Sequence, residues 1–167
     1  MELWDIYDAD RQPKGYTHVR GEEMKPGDFH IIVNVWIRNS RGEYLLTKRS
    51  PNKEWGGYWE CTGGSAVAGD SSLETAVKEV KEEAGITLSP QTGELIYTYN
   101  RLESHGNPDF CDVWFFEKDF DISEVVFQEG ETCDAMWATP EEILSMEKSG
   151  DFVPMIDYID KVFNYKK

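Results

Sequence analysis

The stretch GGSAVAGDSSLETAVKEVKEEAGITL, residues 63–88, constrains this chain more than any other. Ser71 stands where a helix N-cap belongs, and Glu74, three residues on, completes a capping box. Gly85 supplies the stop as a C-cap. Between them, Leu73, Ala76, Val77, Val80 and Ala84 fall on one apolar stripe at about 100° per residue. The spacing predicts a helix with one buried side.

Its neighbouring face is the unusual one. Glu79, Glu82 and Glu83 crowd within about 100° of one another, with Lys78 and Lys81 on the far side. A solvated face accounts for Glu74–Lys78 and Lys78–Glu82, which have ordinary i,i+4 spacing. Glu79–Glu83 is instead a like-charge pair that costs about 0.2–0.5 kcal/mol. The loop before the helix tips the balance: Gly63, Gly64 and Gly69 leave the backbone unobstructed, and Asp70 arrives just ahead of the cap. Carboxylates and bare carbonyls are hard oxygen ligands suited to Mg²⁺ or Mn²⁺. A divalent cation would make the repulsive cluster favourable.

The remaining chain reads mostly as strands. HIIVNVWIRN (30–39) is a strand, NSRGE turns around Gly42, and EYLLTKR (43–49) returns as its hairpin partner. A Pro-, Gly- and Trp-rich loop leads to a short strand near Trp59–Thr62. ELIYTYNRL (94–102) and FCDVWFFEK (110–118) are strands flanking a turn at 103–109, and DAMWAT (134–139) is another. Thr139, Pro140 and Glu142 open a second helix with a cap, a first-turn proline and a capping-box acid. A last helix is expected over Pro154–Tyr165, with residues 1–29 adding a strand or hairpin to the main sheet. Hairpin-linked strands with helices arriving singly predict an α/β fold with a mixed sheet packed between helices.

At 167 residues one domain is expected, with 1–28 as an N-terminal extension packing on a core of 29–167. No stretch approaches the roughly 20 apolar residues of a membrane span, and the acidic N-terminus lacks a signal layout. Cys61, Cys111 and Cys133 form no CxxC pair, which argues against a disulfide framework or zinc and for a cytoplasmic setting. A net charge of −15 opposes a nucleic-acid duplex as partner, though not a small phosphorylated substrate met through a cation. His18, His30 and His105 show no ligand spacing, so structural roles are expected.

Gly64, Asp70, Lys78, Glu79, Val80, Glu82, Glu83, Gly85 and Ile86 together resemble the Nudix box, GX5EX7REUXEEXGU with U aliphatic. The spacing is intact, and the two departures, Asp70 for Glu and Lys78 for Arg, keep their charge. The resemblance implies an α/β/α sandwich and divalent-metal-dependent hydrolysis of a diphosphate joined to another moiety, often a nucleoside. It implies that Glu82 and Glu83 bind the metal with the carbonyl of Gly64, and that Glu79 binds metal or activates water. A further catalytic glutamate is expected from a loop before a late strand, where Glu131 fits best and Glu129 is the reserve. Lys48, Arg49, Trp55 and Lys78 are the candidates for substrate contact; Lys53 reads as a solvated loop residue. Trp55, Tyr58 and Trp59 suit either base stacking or loop anchoring. The family's box Arg steadies a glutamate of the cluster, a task that falls here to a Lys without the planar fork. A homodimer is compatible with the sequence.

Two alternative readings fit parts of the sequence. The region 30–65 also looks like isopentenyl-diphosphate isomerases, but Gly63 and Ser65 stand where those enzymes carry their Cys and metal-binding His. Cys61 is out of that register and reads as a small semi-buried residue. A non-catalytic binding module would have lost a helix carboxylate, and none is lost.

Overall fold

The computed structural model describes residues 1–101 and 107–167. Most of the turn expected at 103–109, with His105, lies outside the described residues. The strands are β1 (Leu3–Tyr7), β2 (Pro13–Val19), β3 (His30–Arg38), β4 (Tyr44–Arg49), β5 (Trp59–Glu60), β6 (Thr62–Ser65), β7 (Glu94–Arg101), β8 (Asp109–Glu117) and β9 (Thr132–Ala138). The helices are α1 (Ser72–Ala84), α2 (Pro140–Ser149) and α3 (Ile159–Phe163). The main sheet runs β5-β4-β3-β8-β7, with β6 also pairing β3 and β9 also pairing β4. It is mixed: β3 lies parallel to β8, while β6 and β4 are antiparallel to β3.

Strand alternation sorts the core into two layers. Val33, Val35 and Ile37 of β3 join Ala76, Val80 and Ala84 of α1 on one face. Trp36 of the same strand joins Ile143 of α2 and Ile159 and Val162 of α3 on the other. The α/β/α sandwich expected from the sequence is the fold observed. Helix α1 is bounded as expected, with both halves of the Ser71–Glu74 capping box formed and Gly85 in the left-handed region at φ 71°.

Two expectations change. The last helix is only five residues long, not Pro154–Tyr165. The chain before it is held extended, since Val153 donates to the Trp59 carbonyl at 3.0 Å and Phe152 bridges Trp59. Tyr158 then turns inward, where its hydroxyl accepts from Asn34 at 2.7 Å and Trp36 at 3.2 Å. The N-terminal segment forms its own two-stranded sheet, β1–β2, rather than joining the main one. Its link is a pair of hydrogen bonds between Tyr7 and Phe29, at 2.8 and 2.9 Å. Most of β2 is exposed, with little apolar surface to bury against the larger sheet.

The hairpin is nevertheless well fastened. Arg11 forks onto the buried Asp112 at 2.8 and 2.5 Å. Ala68 donates to the Leu3 carbonyl at 2.7 Å, and Gly69 to Asp5 at 2.8 Å. These last two contacts tie β1 to the loop that feeds α1.

Candidate active site

Strand β6 lays its two glycines against β3, with Gly63 opposite Asn34 and Gly64 opposite Val33. A Cβ at Gly63 would come within 2.3 Å of the Val33 carbonyl oxygen. One at Gly64 would come within 2.2 Å of Glu79 Oε1. The first glycine therefore admits a neighbouring strand, and the second admits a carboxylate from α1. Close approach, not turn geometry, requires them.

Glu79, Glu82, Glu83 and Glu131 line one cavity of about 260 Å³ together with Gly64. Glu83 is 6% exposed, and its Oε2 accepts from the Gly63 N–H at 3.3 Å. Burial pushes its carboxyl well above the usual range, with repulsion from Glu60 and Glu79 adding to the effect. Burial likewise pushes Glu79 up to about 7, with Glu82 the next contributor. Glu82 is exposed. Glu131 arrives from a turn before β9, as expected, and its carboxylate accepts from the ammonium of Lys53. Lys53 is thus no solvated loop residue: it lies at the edge of the acidic cavity, and its charge lowers the proton affinity of Glu79 and Glu83.

The donor set suits a hard divalent cation. It consists of oxygens alone, and its buried members repel one another when ionised, a repulsion that a dication would relieve. Among the described residues, no three ligating side chains already converge on one point. Rotation of the glutamate side chains toward an ion would be part of binding it.

A second cavity of about 300 Å³ adjoins the first and shares Arg20, Lys53, Gly63, Gly64 and Ser65 with it. Arg49 and Trp55, two of the expected substrate contacts, lie here. Arg49 is committed within the protein: Nη1 bonds both Glu60 oxygens at 2.8 Å, and Nε donates to the Glu54 carbonyl at 2.7 Å. Trp55 adopts a left-handed backbone at φ 56° and meets Tyr58 edge-on at 5.5 Å. That conformation is uncommon for a bulky residue and marks a tightly specified turn.

The other two expected contacts lie elsewhere. Lys48 lines neither cavity and sits over the Trp59 ring, 5.4 Å from its centre. Lys78 also lines neither, and instead of reaching Glu74 or Glu82 its ammonium pairs with Asp70 at 2.5 Å. Glu74 is engaged by Ser71, at 2.8 Å to its N–H and 2.7 Å to its hydroxyl. The two departures from the box pattern therefore bond to each other.

Sequence reasoning missed Arg20 and Arg101. Arg20 follows β2 and borders both cavities, while Arg101 ends β7 and lines the second. Arg101 forks onto Asp109 at 3.0 Å, and Arg20 Nη1 reaches both Glu2 oxygens at 3.0 and 3.1 Å. Neither lies in a motif, and no spacing rule joins chain positions so far apart.

The sequence model of the NUDIX domain matches residues 28–157. A Nudix hydrolase of Listeria monocytogenes is 37% identical over 168 residues, covering 99% of this chain and 96% of that protein. The CTP pyrophosphohydrolase of Escherichia coli is 28% identical over 127 residues, covering 76% of this chain and 89% of its own. A crystal structure from Deinococcus radiodurans superposes with a TM-score of 0.72 at 21% identity, covering 91% of this chain and 92% of that one.

Proposed function

The chain belongs to the NUDIX domain family, and from that premise we propose that it hydrolyses a diphosphate linkage in a nucleoside diphosphate derivative or related small organic diphosphate. Nudix hydrolases generally use divalent metals, and the ion proposed here is Mg²⁺ or Mn²⁺. The observation that carries the reading is the single cavity bordered by Glu79, Glu82, Glu83, Glu131 and Gly64. Glu82, Glu83 and the Gly64 carbonyl would hold the metal, with Glu79 beside them. When bound, a divalent cation withdraws charge from phosphate oxygens and lowers the pKa of water.

The protein's own groups divide the rest of the work. The Glu79 carboxylate occupies the space a Cβ at Gly64 would fill, and its upward-shifted carboxyl can take a proton near neutral pH. We assign it as the base: water attacks one phosphorus, its proton passes to Glu79, and the bond from that phosphorus to the bridging oxygen breaks. Glu131, which lines the same cavity, adds a further carboxylate to the site. The organic part of the substrate would lie in the adjoining cavity, beside Trp55 and the apolar Ile32, Val153 and Ile156.

Isomerase chemistry finds no support at Cys61. It is 3% exposed, and burial pushes its thiol far above the ordinary range. Among the described residues no helix is long and apolar enough to cross a membrane, and all three cysteines are free. A small-molecule substrate met in the cytoplasm completes the proposal.

The test is a panel of nucleoside diphosphates, nucleoside triphosphates, sugar nucleotides, dinucleoside polyphosphates and isopentenyl diphosphate, each with Mg²⁺ or Mn²⁺. Metal-dependent release of phosphate, pyrophosphate or a monophosphate is expected from at least one. Conversion of isopentenyl to dimethylallyl diphosphate, lost in Cys61→Ser, would overturn the assignment.

A further inference from the structure

The matched family region begins at residue 28, yet residues before it reach the site. Glu2 and Arg20 both border the acidic cavity, and Arg20 extends to the second cavity as well. Their placement is built in. Backbone bonds at Ala68 and Gly69 hold β1 against the loop that carries Gly63 and Gly64 into α1, and Arg20 donates its own N–H to the Glu2 carbonyl at 3.0 Å.

The charge distribution gives this placement a direction. The chain carries a net charge of −15, but the second cavity is bordered by Arg20, Arg49, Lys53 and Arg101 against the acids Glu54 and Glu60. Arg49 is held twice, by Nη1 on both Glu60 oxygens and by Nε on the Glu54 carbonyl, and Arg101 spends its fork on the buried Asp109. Arg20 differs. Its Nη1 bonds Glu2 as that of Arg49 bonds Glu60, but the Arg20 side chain is 57% exposed against 15% for Arg49 and 21% for Arg101, and such surface pairs hold weakly. Its guanidinium can therefore turn toward an incoming anion at small cost.

Resting on the hydrolase reading above, we propose that the N-terminal hairpin is a working part of the site, with Arg20 binding the diphosphate at the junction of the two cavities. A guanidinium offers two parallel N–H donors to a phosphate, which fixes orientation as well as charge. Arg20 is thus a substrate-binding residue supplied from outside the matched family region, and Glu2 is its resting partner.

The experiment measures binding of methylenediphosphonate, a diphosphate that cannot be hydrolysed at its bridge, by calorimetry with Mg²⁺. It is run on the wild type, Arg20→Gln, Arg20→Lys, Glu2→Gln and the distant surface control Arg41→Gln. Losing one charge-assisted contact should weaken binding about ten- to a hundredfold in Arg20→Gln, with partial recovery in Arg20→Lys. Glu2→Gln should bind at least as tightly as wild type, because it releases the guanidinium. On a hydrolysed substrate, Arg20→Gln should raise KM with kcat within a few-fold.

Wild-type affinity in Arg20→Gln would overturn the proposal while leaving hydrolysis intact. Equal losses in Arg20→Gln and Glu2→Gln would also overturn it, by showing that the pair matters only as a brace. A wild type that neither binds the diphosphonate nor hydrolyses any diphosphate would remove the hydrolase reading, and this inference with it.

Discussion

Changing either glycine of the Gly63–Gly64 pair to alanine separates folding from function. At Gly63 the added Cβ meets backbone, 2.3 Å from the Val33 carbonyl oxygen and 3.4 Å from Asn34 Cα. Strands β3 and β6 would have to part, and overpacking of this kind costs about 1–3 kcal/mol. For a chain of this size that lowers Tm by roughly 2–12 °C. At Gly64 the atoms nearest the added Cβ are those of the Glu79 carboxylate, at 2.2–2.5 Å. Gly64 has no left-handed backbone angle, so alanine is tolerated there. Pushing Glu79 off its rotamer costs about 0.5–1.5 kcal/mol. The stiffer unfolded chain of an alanine variant returns about 0.4–1 kcal/mol. Gly64→Ala should therefore melt within about 3 °C of wild type. Its turnover should still fall about a hundredfold, since a catalytic group displaced by an ångström costs that much. Calorimetric melting and product release on the best panel substrate, measured on both variants, test the contrast. Wild-type turnover in Gly64→Ala, or equal melting losses in the two, would refute the reasoning.

Glu79 also predicts a pH dependence in the metal-free protein. Its folded pKa lies above its unfolded value of 4.5, at about 7, so the stability tied to its proton is complete below about 4.5 and lost as pH rises through 7. The rise corresponds to roughly 3 kcal/mol at most, so Tm in chelator should fall from pH 5 to 7.5 and Glu79→Gln should flatten the fall. If Asp70 and Lys78 act as a unit, Asp70→Asn and Lys78→Met should weaken Mg²⁺ binding alike, and the double variant no more than either; additive losses would show independent roles. Lys78→Arg should match or modestly exceed wild-type turnover. Removing the ammonium beside Glu131 in Lys53→Met should tighten Mg²⁺ binding measured by calorimetry, and weaker binding would show that Lys53 organises the cavity.

Signals that act over a few residues are legible in this sequence, and those that depend on distant contacts are not. The limits of α1 follow from Ser71, Glu74 and Gly85, whose effects span three or four residues. The glutamates of α1 follow from the same helical geometry, and the box pattern adds Gly64 and the α/β/α sandwich. Helix spacing offers Lys78 only partners one turn away, whereas its partner Asp70 comes from the preceding loop. Lys53 and Glu131 are 78 positions apart, and the β4–β9 pairing, continued by Ser50 N donating to the Glu131 carbonyl at 3.0 Å, brings them together. The helix expected over Pro154–Tyr165 had the right apolar period, but pairing of Phe152 with Trp59 and the inward turn of Tyr158 outweighed it. Lys48 has the right charge in the right stretch, yet it sits over Trp59, outside both cavities.

The central claim is that the α1 glutamates serve hydrolysis and not solvation. Glu83→Gln keeps the side-chain volume and an oxygen able to accept from the Gly63 N–H, while removing a carboxyl whose ionisation is opposed by burial and by Glu60 and Glu79. The fold should therefore persist, with a melting temperature in chelator at or above that of wild type. The decisive measurement is turnover of Glu83→Gln and Glu82→Gln on the best panel substrate at saturating Mg²⁺. A loss of about a hundredfold or more in both, with melting preserved, is predicted; near-wild-type turnover in both would contradict the account.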